Sequence, residues 1–245
     1  MTTTSTRLLE SQLPAWDGGG PRVSDLVAEA KELEVGRLSN GMACYFRRNA
    51  EPRDRVECSV IVRAGSIDES DEERGLAHMI EHLAFRARKE ETGSWGVMRE
   101  LESHGVKFGS HQNAYTSFEE TVYWLHVPSS YVEGALDCLA ALVLDVRLSD
   151  DDVEAERKIV IEEWRQTMDW KQRASEAHIR RMLAGTKFEH RLPIGTLDII
   201  ENAPPARLRE FYRKYYVPQN MAVVVVGDLD AAPSLLENAF GKYTG

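Results

Sequence analysis

Residues 74–85 read Arg-Gly-Leu-Ala-His-Met-Ile-Glu-His-Leu-Ala-Phe. With Asp71, Glu72 and Glu73 just upstream, where a helix dipole favours carboxylates, the pattern predicts a helix from about Asp71 to Phe85. On such a helix His78 and His82 stand about 40° apart around the axis, and Glu81 lies about 60° to the other side of His78. Two imidazoles on one face can share a metal ion. A carboxylate on the same arc can take a proton from a water beside that ion and return it to a leaving amine. The plain alternative is a solvated helix face with two ordinary histidines.

A catalytic zinc usually has three protein ligands and one open position. The third donor is expected from a second helix, predicted from Asp150 to about Ala184 and opened by Ser149 or Asp150 as a cap. Within it Glu156 and Glu163 are seven apart, within about 20° of one face. One can bind the metal while the other supports the site electrostatically. Glu162 points about 100° away from Glu163 and reads as solvated or paired. The HxxEH order is the inverted zinc-protease pattern, so one zinc ion per chain and hydrolysis of a peptide bond are the chemistry it implies.

Outward from this stretch, Met42–Arg47 and Val56–Val62 read as strands, the first after the Asn40-Gly41 turn signal. A helix from Ser94 to Ser103, closed by Gly105, follows. Phe108–Tyr115 and Thr121–Val127 read as strands joined around Ser117–Glu120. Tyr131–Val146 and Pro204–Tyr216 read as helices, and Met221–Val226 as a central buried strand ending in a Gly227-Asp228 turn. Strands and helices mix without βαβ alternation. The fold class expected is α+β, with helices packed on a sheet.

The chain has 245 residues, 42% of them apolar, and a formal charge of -10. No apolar run reaches the roughly 20 residues of a membrane helix, and the acid excess opposes nucleic-acid binding. Neither a membrane nor a nucleic acid is therefore an expected partner. Cys44, Cys58 and Cys138 are odd in number and form no CxxC pair, which speaks for buried free thiols and a reducing, cytoplasmic setting. Residues 1–33 lack a signal-peptide core and read as a flexible extension, with a short helix over Leu26–Leu33. Residues 34–245 form the domain. His104, His111, His126, His178 and His190 have no ligand spacing among themselves.

Several further stretches lie in a fixed order: LSNGM (38–42), VRAGSIDES (62–70), RGLAHMIEHLAF (74–85), NAYTSFEETVYW (113–124), ERKIVIEEWR (156–165), RLPIG (191–195) and FYRKYYVPQNMAVVVVGDLD (211–230). In these the chain resembles the pitrilysin/insulinase family of zinc metallopeptidases, from about Glu34 to its end, with the look of bacterial zinc proteases and mitochondrial processing peptidases. The resemblance implies a half-domain of the processing-peptidase type with a mixed, largely antiparallel sheet. It implies His78, His82 and Glu163 as zinc ligands, Glu81 as general base and Glu156 as the acid beside the third ligand. Asn113 and Ala114 match the edge strand that takes a peptide substrate as an added strand. The gap from His82 to Glu163 is longer than the family's habit; an insertion near Lys89–Thr92, or Glu162 as the ligand, explains it.

Members of the family generally close two or more homologous domains around the peptide, and the second half contributes an Arg and a Tyr. This chain corresponds to the zinc half. Its expected partners are a peptide substrate and a second homologous domain or subunit. The rival reading is a non-catalytic assembly or peptide-binding subunit of the same fold.

Overall fold

The computed structural model describes residues 33–86, 96–167, 169–230 and 232–244. Six strands form one sheet: β1 (Leu33–Arg37), β2 (Ala43–Arg48), β3 (Arg55–Val62), β4 (Gln112–Thr116), β5 (Thr121–Pro128) and β6 (Met221–Gly227). Their order is β1-β2-β6-β3-β5-β4. Only β2 and β6 run parallel; the other four pairings are antiparallel. The expected mixed, largely antiparallel sheet is thus present, with β6 in its interior.

Eight α-helices accompany it among the described residues: α1 (Leu76–Ala84), α2 (Val97–Ser103), α3 (Val132–Leu144), α4 (Asp150–Thr167), α5 (Trp170–Met182), α6 (Leu197–Asn202), α7 (Pro205–Tyr215) and α8 (Pro233–Phe240). Strand period explains how they attach. In β3, Val56, Cys58, Val60 and Val62 are buried; in β6, Met221, Val223 and Val225 are. These alternate residues share one face of the sheet. Helix α3, apolar nearly all round, packs on β3 and β5 and against α8, while α1 lies across β4 and β5. Tyr123, Leu125, Leu136 and Leu139 fill the core between these layers.

Four expectations need correction. The first helix begins at Leu76, not at Asp71. Gly75 has φ 104°, outside helical space, so Asp71–Glu73 sit in turns before the helix and contribute no first-turn acid. Strand β4 begins at Gln112, not Phe108. Gly109 has φ 81° and donates its N–H to the Gln112 carbonyl, folding residues 108–111 into a turn. The long helix is two helices, α4 and α5. No Pro or Gly marks the break, but the Thr167 hydroxyl donates to the Trp164 carbonyl at 3.0 Å, giving the backbone a local alternative to the helix ladder. Leu33, placed in the extension and at the end of a short helix, opens β1 opposite Arg47. The rest of that extension, the start of the Ser94 helix and the Lys89–Thr92 segment lie outside the described residues.

Candidate metal centre

Helix α1 is nine residues long, and all but His78 and His82 are buried. So short a helix is marginal in water; here packing on β4 and β5 holds it. Its two histidines face α4, which brings Glu163 to them. His82 Nε2 lies 3.1 Å from Glu163 Oε2, and His78 Nε2 lies 3.8 Å from Glu163 Oε1. One donor atom from each of the three residues falls within 4.8 Å of the others. Ligands about 2.0–2.1 Å from one tetrahedral zinc stand roughly 3.3 Å apart, so two nitrogens and a carboxylate at this spacing fit that ion.

Glu156, also on α4, does not join the donor set. Its Oε1 lies 3.1 Å from His82 Nδ1, and its other oxygen accepts a short hydrogen bond from Arg86 Nε. It sits behind the imidazole, a carboxylate–histidine arrangement common behind metal sites. The sequence left open which acid would do which. The structure brings Glu163 to the Nε2 atoms of both histidines and Glu156 to Nδ1 of His82. Glu162 faces away and accepts from Gln166.

Glu81 is buried, and its Oε2 accepts a 2.7 Å hydrogen bond from the Thr116 hydroxyl. The Thr116 backbone N–H also faces this carboxylate. Thr116 ends β4, the sheet edge. The ladder fixes which way that edge points. His126 N–H donates to the His111 carbonyl and Ser117 N–H to that of Glu120. The same alternation puts Asn113 and Tyr115 on the ladder with β5, so Ala114 and Thr116 turn their N–H and C=O groups to the open side. At present Asn113 Oδ1 covers the Ala114 N–H at 2.9 Å.

Electrostatics follow from burial and pairing. Burial, with His82 beside it, pushes His78 down to about 4. Burial acts on His82 in the same sense, but its hydrogen bonds to Glu156 and Glu163 prevail and hold it up at about 9. The His82 hydrogen bond keeps Glu163 below the usual carboxylate range. Burial works to raise Glu156, and its bonds to His82 and Arg86 more than offset that. Burial raises Glu81, making it readier to take up a proton.

These residues line an open cleft of about 610 Å³, with Phe85 and Phe108 stacked edge to face on one wall and Pro193 and Ile194 on another. The model for the insulinase family, peptidase family M16, matches residues 46–197. The chain belongs to peptidase family M16. A second M16 model, described as the inactive domain, matches residues 202–245. Among M16 relatives, a zinc protease PQQL-like protein of Arabidopsis thaliana is 40% identical over 207 residues, 83% of this chain and 22% of that protein. The crystal structure of the periplasmic M16 protease PqqL from Escherichia coli superposes with a TM-score of 0.83 at 34% identity, covering 89% of this chain and 24% of that one. The separately solved first half of PqqL gives 0.81 at 35% identity, with 87% and 47% covered. The chain therefore spans under a quarter of the length of the Arabidopsis relative and of full-length PqqL. Among the described residues no helix is long and apolar enough to cross a membrane.

Sequence reasoning did not reach Thr116, Arg86, Phe108 or the 193–194 wall. Thr116 sits inside a quoted motif, but nothing in its spacing aims its hydroxyl at Glu81. Of the histidines set aside, His104 stacks on the Tyr131 ring and His111 accepts from the Lys107 N–H.

Proposed function

We propose that this chain is the zinc-binding domain of an M16 endopeptidase that hydrolyses peptides or small unfolded proteins. The observation that carries the reading is the convergence of His78, His82 and Glu163 with a separately held carboxylate, Glu81, on the same cleft. His78 Nε2, His82 Nε2 and one Glu163 oxygen would hold the ion. Zinc, when bound, supplies Lewis acidity, acidifying water and polarising a carbonyl.

The chain's own residues do the rest. A peptide laid along β4 would pair with the outward groups of Ala114 and Thr116, displacing the Asn113 oxygen from the Ala114 N–H. Backbone pairing accepts many sequences. Glu81, with Oε2 held by Thr116, keeps Oε1 to take a proton from water and pass it to the leaving amine. Glu156 holds the His82 ring in place and, through Arg86, keeps its own charge satisfied.

The length of the relatives supports a second homologous domain as the partner that completes the cleft. The thiols of Cys44, Cys58 and Cys138 support a reducing compartment such as the cytoplasm, whereas PqqL of E. coli is periplasmic. The test is zinc content by mass spectrometry and cleavage of a mixed peptide library, for the chain and for Glu81→Gln. One zinc in both and cleavage only in the parent is the expected result. Zinc in both with cleavage in neither assigns turnover to a larger assembly. A parent that binds no zinc sinks the reading in favour of a non-catalytic subunit.

A further inference from the structure

Glu69 lies outside the cleft and is only 1% exposed, yet its carboxylate has a defined task. The residue that caps the start of α1 is Gly75, which has no side chain to do so. The first N–H groups of a helix need acceptors from elsewhere. Glu69 supplies them across six residues of chain. Its Oε1 accepts from Ala77 N–H at 2.9 Å and from Gly75 N–H at 3.1 Å, and its Oε2 also lies 3.1 Å from the Gly75 nitrogen. Burial pushes this carboxyl up to about 8, against the donors that favour its charge.

Glu69 is itself held. Its carbonyl accepts from Arg191 Nε at 3.1 Å, and the Arg191 carbonyl accepts from the buried Ser66 hydroxyl. Four residues on, Gly195 packs so closely on Gly75 that an added Cβ would fall 2.4 Å from the Gly75 Cα. The loop that supplies the Pro193–Ile194 wall and the first turn of α1 are thus one clamp, with Glu69 at its centre.

His78 depends on that clamp in a way His82 does not. A metal-binding histidine usually donates its second ring nitrogen to a fixed acceptor. His82 has Glu156 for this. His78 Nδ1 is buried with no hydrogen-bond partner. Apart from its packing and the Glu163 carboxylate 3.8 Å from Nε2, the His78 ring is placed by its backbone, the third residue of α1, directly after Ala77.

We infer that Glu69 is a positioning residue for the metal: by capping the first turn of α1 it sets His78 against His82 and Glu163. This rests on the metal-site reading above. The test is zinc affinity of the purified 245-residue chain, by competition with a chromophoric chelator, together with the visible absorption of the Co²⁺-loaded protein. Glu69→Gln keeps the size but turns an amide donor toward N–H groups. It should weaken zinc binding about tenfold or more, the range expected for an outer partner, and shift the cobalt bands. Val223→Ala, in the sheet interior, should lower the melting temperature and leave affinity and bands unchanged. If Glu69→Gln does not fold, Arg191→Lys, which keeps the charge but loses the guanidinium Nε that holds the Glu69 carbonyl, is read in the same way. Parental affinity and parental cobalt bands in the folded variant would overturn the inference. So would equal weakening in Val223→Ala, which would make the effect one of general stability. A parent chain that binds no zinc would overturn the metal reading and this inference with it.

Discussion

Helix α1 brings two histidines and Glu81 to the cleft from nine residues, seven of them buried; α4 brings two acids from eighteen residues, four of them buried. The first is held from outside, by the sheet beneath it and by Glu69 at its start. The second carries its own N-terminal equipment. Ser149 Oγ accepts from the Asp152 N–H at 3.2 Å, and Asp150, Asp151 and Asp152 fill the first turn. One buried side chain ties it to α6. Arg157 donates to the carbonyls of Ile200 and Ala203 at the end of α6 and pairs with Glu154. A rigid, apolar element thus sets the imidazoles, and a surface helix on a polar tether brings the acids to them.

The comparison breaks most visibly if a ligand is removed from either side. His82→Ala and Glu163→Gln should both lower zinc affinity by more than the about 10–100-fold that loss of an outer partner costs. Chelator competition measures it. If Glu163→Gln bound zinc as the parent does while Glu162→Gln did not, the acid assignment would be reversed.

The tether comes next. Arg157→Met keeps the stem but strands two carbonyls and one acid, and should cost about 3 kcal/mol in urea unfolding. Glu162→Ala, on the exposed side of the same helix, should stay within about 0.5 kcal/mol. Equal effects would mean that α4 is held by its apolar contacts, Val153 and Val160, rather than by Arg157.

The same contrast explains what could be read before the structure. Period and motif place every strand except the outer β1, and put the histidine pair and the two acids on two helices, because those signals are local: a helical repeat, a β-branched run, a spacing of four or seven. The start of α1 is not local in this sense: its cap comes from Glu69, six residues upstream and across a turn. The break after Thr167 has no Gly or Pro to announce it. Arg86 and Thr116 carry no signal in the sequence because their partners, Glu156 and Glu81, are 70 and 35 residues away. Contacts made by topology leave little trace in spacing.

Thr116 allows a finer cut, between the edge strand and α1. Thr116→Val removes the hydroxyl at nearly constant shape, so Glu81 loses its 2.7 Å donor while the sheet edge stays. Turnover should fall about tenfold with KM and zinc content unchanged. Thr116→Ser, which keeps the donor, should stay close to the parent. Equal losses in the two variants would assign the effect to disturbed packing at this position rather than to the hydroxyl.

The smallest effect expected lies in the sheet behind α1, at Cys58. Burial pushes this thiol up to about 12 from an ordinary value of 9.0. Between those values the folded chain keeps a proton that the unfolded chain releases, so stability falls as pH rises through the window. By pH 10 the cost is roughly 1 kcal/mol. Cys58→Ala has no such proton. Its urea midpoint should start lower, because a small cavity is left, and then decline less between pH 8 and pH 10 than the parent's does. Parallel declines would show that the alkaline loss comes from elsewhere, Tyr123 and Tyr216 being the next buried acids that ionise late. A shallower decline would mark the sheet interior as dry enough to hold a thiol neutral. That same dryness lets β4 and β5 serve as a fixed floor for α1, while α4, exposed along most of its length, is free to be placed by its tether.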